Sequence, residues 1–425
     1  MSDDLLSSHA SAQTDPPEKP PVEAACPSGV SEDARCLRGR DSMGAHYLIV
    51  IPRHWSGVLV VHAHGGPPLG EPKASRAEED IKRWSVTVRL GHAWAGSVFR
   101  QGGFAVTSAA QDTERLRRIF VEHLAKPTRT VIHGQSWGAL VATRAADLYP
   151  KSWDGMLLTS GAVGGLLAYE FRLDLRVIYQ YLCNNHPTPD ERAYPLSIGL
   201  PKDSTFTEED LAVRADEALG VLRPAAQRSL EQARRLRTLV NLLKIPEAGV
   251  IDQLRWGTWA LRDVVEKHGG SPVGNDTACY SGSEDDASLN ATVLRYRADS
   301  AARARFAAET EYSGRFPMPV LTVHGIHDPT CFVEVHDVLR CRMSATGYEH
   351  NLVQTFVDSD QHSYLGDEIY PPLFEALLRW IENGDKPSPR QIADRCRAMT
   401  PALLPPRGFV ADYVPRPLAS RVHPR

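Results

Sequence analysis

The stretch that most constrains this chain is Gly134-Gln135-Ser136-Trp137-Gly138. An apolar run, Thr130-Val131-Ile132-His133, precedes it, and a run with helical spacing, Ala139 to Tyr149, follows it. The expected local structure is a strand, a sharp turn and a helix. Glycine on either side of the serine removes the Cβ atoms that would collide where strand and helix cross. Such a turn lifts a serine hydroxyl above the sheet, where a substrate can reach it. The five residues alone recur by accident, and it is the flanking strand and helix that give them meaning.

With 425 residues, the chain exceeds one ordinary domain and suits either two domains or one large α/β domain with an insertion. A net charge of −4 gives no electrostatic reason to expect nucleic acid or an anionic membrane as partner. No apolar run reaches the roughly 18 residues of a membrane span, so none is expected. The first 25 residues are polar and Pro-rich, with no basic start leading into an apolar core. They read as a disordered tail and not as a secretory signal, which favours a cytoplasmic location, with secretion as the alternative. None of the seven cysteines forms a C-x-x-C pair, which argues against that type of zinc site. Reduced thiols are the expectation. The alternative is an exported protein in which Cys26–Cys36 and Cys331–Cys341 close short loops.

Strand character is read at 47–51, 57–62 and, more weakly, 104–107, then in the run before Ser136 and at 156–159. A helix is read over 113–125, with Leu116, Ile119, Phe120 and Leu124 on one side and charges on the other. Strands alternating with helices predict an α/β fold: a mostly parallel sheet with helices on both faces. From about 166 the pattern turns helical (171–183, 208–218, 225–243, 250–267), with a Ser/Asp/Gly-rich loop at 275–290. Strands resume at 320–323 and 352–357, and a helix over 372–383 ends at Gly384. The predicted organisation is a tail (1–40), a core in two parts (41–165 and 313–385) split by a large helical cap (166–312), and a Pro-rich extension (386–425) that wraps the surface.

A serine hydroxyl is a weak nucleophile at neutral pH and needs a base held in place by a third group. In a sheet of this type the chain order is Ser, then Asp or Glu, then His. Asp328, in His324-Gly325-Ile326-His327-Asp328-Pro329, follows the strand at 320–323, and His362 follows the last strand. Functional groups gather past such strand ends. Asp358 and Asp360 rank below Asp328 as the orienting carboxylate. A developing oxyanion needs N–H donors. Trp137, after the serine, is one candidate. Gly66, then Gly65, in His64-Gly65-Gly66-Pro67 after an early strand, is the other.

Strand-HGGP, strand-GQSWG-helix, strand-HGIHDP and strand-loop-His together resemble the α/β-hydrolase superfamily over roughly residues 45–165 and 315–385. The HGGP loop is similar to that of the proline iminopeptidase branch and of some esterases. The resemblance implies an α/β-hydrolase core and a serine hydrolase with the triad Ser136, Asp328 and His362. It implies no cofactor. A small-molecule carboxylic ester is the expected substrate. A peptidase or amidase, an acyltransferase and a non-catalytic hydrolase-fold binding protein are the alternatives. A metal reading of His62, His64, His324 and His327 is disfavoured, because Gly-Gly-Pro stands where further ligands would be needed. Trp94, Phe99 and Arg100 are candidates for an acyl pocket. Arg172, Asp174 and Arg176 read as a solvated helix face. The segment Tyr179-Gln180-Tyr181 is divided between substrate contact and helix packing.

Overall fold

A computed structural model describes residues 16–186, 200–201, 203–400 and 408–425. Nine strands form one sheet: β1 Val22–Ala24, β2 Arg35–Arg40, β3 His46–Ile51, β4 Val58–Ala63, β5 Ala93–Ser97, β6 Arg129–Gln135, β7 Gly155–Thr159, β8 Val320–Gly325 and β9 Leu352–Val357. Their order is β1-β2-β3-β5-β4-β6-β7-β8-β9. β1, β2, β3 and β5 pair antiparallel, while the pairs from β5 through β9 are parallel. Three helices come early: α1 Arg76–Arg89, α2 Val106–His123 and α3 Gly138–Leu148. Between β7 and β8 lie α4 Gly165–Cys183, α5 Glu208–Leu219, α6 Leu230–Leu243, α7 Val250–Arg255, a π-turn at Trp256–Ala260, α8 Leu261–His268, α9 Asp286–Thr292 and α10 Ser300–Thr310. Then follow α11 Val335–Ala345, α12 Tyr370–Asn383 and α13 Pro389–Met399.

Strand side chains alternate between faces, and both faces are covered. Leu59, Val61 and Ile132 share a core with α2, α3 and the helical insertion. Val58, Val60 and Val131 share the other with α1, α12 and α13. This explains why β4, β6 and β8 are buried along nearly their whole length. In register, Gly134 of β6 pairs with Ala63 of β4 and Leu158 of β7, and Gly325 of β8 pairs with Val357 of β9. The loops after β4, β6, β8 and β9 therefore emerge at one edge. α10 packs against α2, α3, α4 and α8, joining the insertion to the core.

Several expectations need correction. The tail expected over 1–40 holds two strands, β1 and β2, which extend the sheet through the antiparallel register of Cys36 with Val50. Residues 1–15 lie outside the described residues. The weak strand at 104–107 is instead the entry to α2, and the neighbouring strand is β5. β5 reads Ala-Trp-Ala-Gly-Ser, and small residues carry little β signal. The region after 385 contains α13, with Pro389 at its first position and Ser388 accepting from Gln391 N. Reduced thiols do not hold throughout. Cys26 and Cys36 are joined, with Cα atoms 5.3 Å apart, while Cys183, Cys279, Cys331, Cys341 and Cys396 are free.

Candidate active site

Ser136 sits between β6 and α3 with φ of 52°, a left-handed backbone that a non-glycine residue adopts only where its surroundings impose it. A Cβ on Gly138 would lie 2.0 Å from the Ala63 carbonyl oxygen, and one on Gly134 would lie 2.7 Å from the Ala139 Cα and the Gly138 oxygen. Both neighbours are backbone and cannot yield, so the two glycines are sterically required. Ser136 N donates to Thr159 O at 2.9 Å, which fastens the turn to β7.

The three residues singled out for the triad come together. Ser136 Oγ is 2.8 Å from His362 Nε2, and His362 Nδ1 is 2.7 Å from Asp328 Oδ2. The Asp328 side chain is fully buried, while His362 is about one-fifth exposed. The other carboxylate oxygen, Oδ1, accepts from Thr330 N at 2.8 Å and Cys331 N at 2.9 Å. These bonds hold the buried carboxyl in place. Asp358 and Asp360 do not take this position. Asp358 lies 3.3 Å from the exposed His327, and Asp360 accepts from Gln361.

The candidate oxyanion donors border the same point. Trp137 is the N-cap residue of α3, where helix N–H groups have no intrahelical acceptor. Gly65 packs on the elbow: a Cβ there would lie 2.9 Å from Ser136 Cβ and 2.6 Å from Gln135 Nε2. Its carbonyl accepts from Arg76 Nη2 at 2.6 Å. The C=O and the following N–H of a trans peptide point in opposite directions, so this bond turns the Gly66 N–H away from Arg76. Gly66 itself has φ of 59°.

A cleft of about 230 Å³ opens over these groups, lined by Gly65, Gly66, Ser136, His362, Trp256 and Thr330 among others. Arg76 and Asp80 on α1 pair at its rim (3.0 Å). Burial pushes the Asp80 carboxyl up to about 6 against the pull of Arg76. Burial, then Arg76, pushes His64 down to about 3, so it is neutral.

Several contributors escaped sequence reasoning. Gln253 of α7 donates to Pro329 O at 3.0 Å and Thr330 O at 2.8 Å, so the insertion grips the Asp328 loop. Trp84 Nε1 donates to Gln135 Oε1 at 3.1 Å, steadying the elbow from α1. His324 Nε2 bonds to Cys331 O at 2.7 Å, and its Nδ1 lies 2.7 Å from His336 Nε2. No local signal marks Gln253, because its partners are distant in sequence. Arg76 and Asp80, four apart on a helix, were detectable as a pair.

Other candidates fall elsewhere. His62 bonds to His133 (2.9 Å) within the sheet. Trp94 packs against His62 in the core, and Arg100 is bound to Asp112, so neither forms an acyl pocket. Phe99 stacks on His64 at 4.3 Å. Tyr179 and Gln180 border a separate small void between α4, α5 and α7. Arg172, Asp174 and Arg176 do not form a solvated face: Asp174 and Arg176 are buried and Arg172 is half-buried.

The strand order, the strained serine after β6, and the Asp328 and His362 loops past β8 and β9 define an α/β-hydrolase fold. No family model matches this chain, and no curated protein does. Among solved structures it is similar to feruloyl esterase B from Aspergillus oryzae: 12% identity, 88% of this chain and 89% of that one, TM-score 0.48. Candida antarctica lipase A gives 11%, 87% and 83%, and 0.46. The tannin acyl hydrolase from Aspergillus niger gives 12%, 87% and 83%, and 0.43. These similarities carry no argument about what this chain acts on.

Proposed function

We propose that this chain is a serine hydrolase that cleaves carboxylic esters of small or medium organic molecules through an acyl-enzyme. The observation that carries the reading is the single file of Ser136 Oγ, His362 and buried Asp328, with contacts of 2.8 and 2.7 Å. Ser136 Oγ attacks the ester carbonyl while its proton passes to His362 Nε2. Asp328 holds His362 Nδ1–H and stabilises the imidazolium. The oxyanion takes N–H donors from Trp137 and Gly66. Collapse of the tetrahedral adduct breaks the ester C–O bond, and His362 returns the proton to the departing alcohol. Water then repeats the attack, giving up a proton to His362, and the acid leaves as Ser136 regains it. The helical insertion acts as the cap, reaching the cleft through Trp256 and the Asp328 loop through Gln253.

Ester is favoured over the aminopeptidase reading on one ground. That reading needs free carboxylates on the cap to hold a substrate amine, and the two acids of α4, Glu170 and Asp174, are paired with Arg303 and Arg425. The Cys26–Cys36 bridge further supports an oxidising compartment over the cytoplasm. Ellman titration of the denatured protein then counts five thiols, whereas seven would refute the bridge.

The test is turnover of p-nitrophenyl butyrate with fluorophosphonate labelling located by mass spectrometry. Label is expected on Ser136, and Ser136→Ala is expected to lower kcat by on the order of 10⁴-fold or more. Undiminished turnover in that variant, or label elsewhere, overturns the assignment. Hydrolysis of aminoacyl anilides in preference to esters would return the peptidase reading.

A further inference from the structure

α4 carries a cation that the triad chemistry does not use. Residues four apart share a helix face, and residues two apart do not. Glu170 and Asp174 accordingly lie together: Glu170 Oε1 takes Arg303 Nη1 at 2.7 Å, and Asp174 Oδ1 takes Arg425 Nη2 at 2.8 Å and the Tyr280 hydroxyl at 2.7 Å. Arg172 points away from both. Its guanidinium carbon lies 5.0 Å from the Tyr169 ring centroid and 5.2 Å from that of Trp256. Among the described residues it has no hydrogen-bond or carboxylate partner.

Trp256 ties this cation to the cleft. It begins the π-turn Trp256–Ala260, a local widening of the helix that often marks functional sites. Gly257 lets that turn close on α4, since a Cβ there would lie 3.1 Å from the Arg172 carbonyl oxygen. Trp256 also walls the Ser136 cleft beside Thr330. The next residue, Cys331, is near enough to Arg172 to feel its charge. Burial lowers the Arg172 pKa from its usual value, as expected for a cation without a counter-ion. The two rings flank the guanidinium, and its planar N–H edge has no hydrogen-bond or carboxylate partner among the described residues. That edge matches a carboxylate, which it binds through two parallel hydrogen bonds.

We propose that Arg172, held by Tyr169 and Trp256, is a carboxylate-binding subsite of the cleft, so that the preferred substrate is an ester carrying a second, anionic carboxyl group. This rests on the reading of Ser136 as the nucleophile of ester hydrolysis. The anion selects and orients the substrate, while the chemistry remains with Ser136 and His362.

The experiment compares kcat/KM for matched pairs. One arm places the carboxylate in the acyl half (mono-p-nitrophenyl glutarate against p-nitrophenyl butyrate). The other places it in the alcohol half (the butyryl ester of 4-hydroxybenzoate against phenyl butyrate). Wild type is expected to prefer the anionic member in one arm. In Arg172→Gln the anionic-to-neutral ratio is expected to fall roughly tenfold to a hundredfold, mostly through KM. Arg172→Lys, which keeps charge but not the paired donors, is expected to fall between. Circular dichroism checks that the variants fold, and if Arg172→Gln does not, the Lys variant decides. Equal ratios in wild type and variants, or no anionic preference in either arm, overturn the subsite. Calorimetry with glutarate alone separates this from failure of the ester reading. Binding by wild type that is lost in Arg172→Gln supports the subsite even if no ester is cleaved. Absence of ester turnover together with absence of glutarate binding overturns it.

Discussion

The carboxyl edge of the sheet and the helical insertion solve the same problem, fixing polar groups out of water, in different ways. At the edge the fixing is local. Asp328 is held by the N–H groups of Thr330 and Cys331, two and three residues on, and Ser136 is held by glycines within two residues of it. In the insertion the fixing is remote. Asp174 depends on Tyr280 and on Arg425, 106 and 251 residues away. The edge is thus a product of backbone geometry, while the insertion depends on tertiary assembly. On the proposed reading, reaction chemistry resides in the first and recognition in the second.

The strongest challenge to this contrast is Asp328→Asn. It keeps the shape of the edge but leaves His362 in the wrong tautomer, and kcat is expected to fall on the order of 10³- to 10⁴-fold with the melting temperature little changed. A large loss of stability instead would show that the edge, too, depends on wide assembly. Next comes Arg425→Ala, which strands the buried Asp174. A loss of about 3 kcal/mol is expected, read by urea denaturation, with proteolytic nicking of the insertion ahead of the core. Uniform unfolding would erase the distinction.

Acidification tests mainly the core. Burial lowers His133 and His64 to about 3 and His92 to about 4, and it lowers His62, His324 and His336 in the same direction. All six lie outside the insertion. A depressed histidine stabilises the fold fully above its unfolded value, about 6.5, and that contribution is lost as pH falls below it, because the unfolded chain binds more protons. Asp80 and Asp112, raised to about 6 by burial, act in the opposite sense, with stability lost as pH rises through 6. The histidines outnumber them, so stability is expected to fall between pH 6.5 and 4.5, by about 1.4 kcal/mol per pH unit for each net proton. A melting temperature that rises over that range contradicts the neutral-histidine core. The smallest effect is expected from Gln253→Leu, which frees the Asp328 loop from α7. A roughly three- to tenfold loss in kcat/KM with an unchanged melting temperature is expected, and no kinetic change would cut the link between insertion and edge.

The same contrast explains what the sequence disclosed. Ser136, Asp328 and His362 were legible because each follows a strand, and strand ends are set by short-range hydrophobic runs. The insertion helices were legible as periodic segments, but their faces were not. Arg172, Asp174 and Arg176 resemble a solvated stripe until Arg425 and Tyr280 arrive from elsewhere. β5 was hidden by its small side chains. β1 and β2 were hidden in a polar lead-in that becomes sheet only by pairing with β3.

The segment 418–425 has a consequence for the order of events in synthesis. Arg421 pairs with Glu334, His423 bonds to Leu242 O, Pro424 O accepts from Cys279 N, and Arg425 meets Asp174. A nascent chain emerging from the ribosome therefore completes its helical insertion only after residues far downstream have been translated. Until then Asp174 lacks its arginine partner, and a chain cut before Arg425 would carry an unfastened insertion.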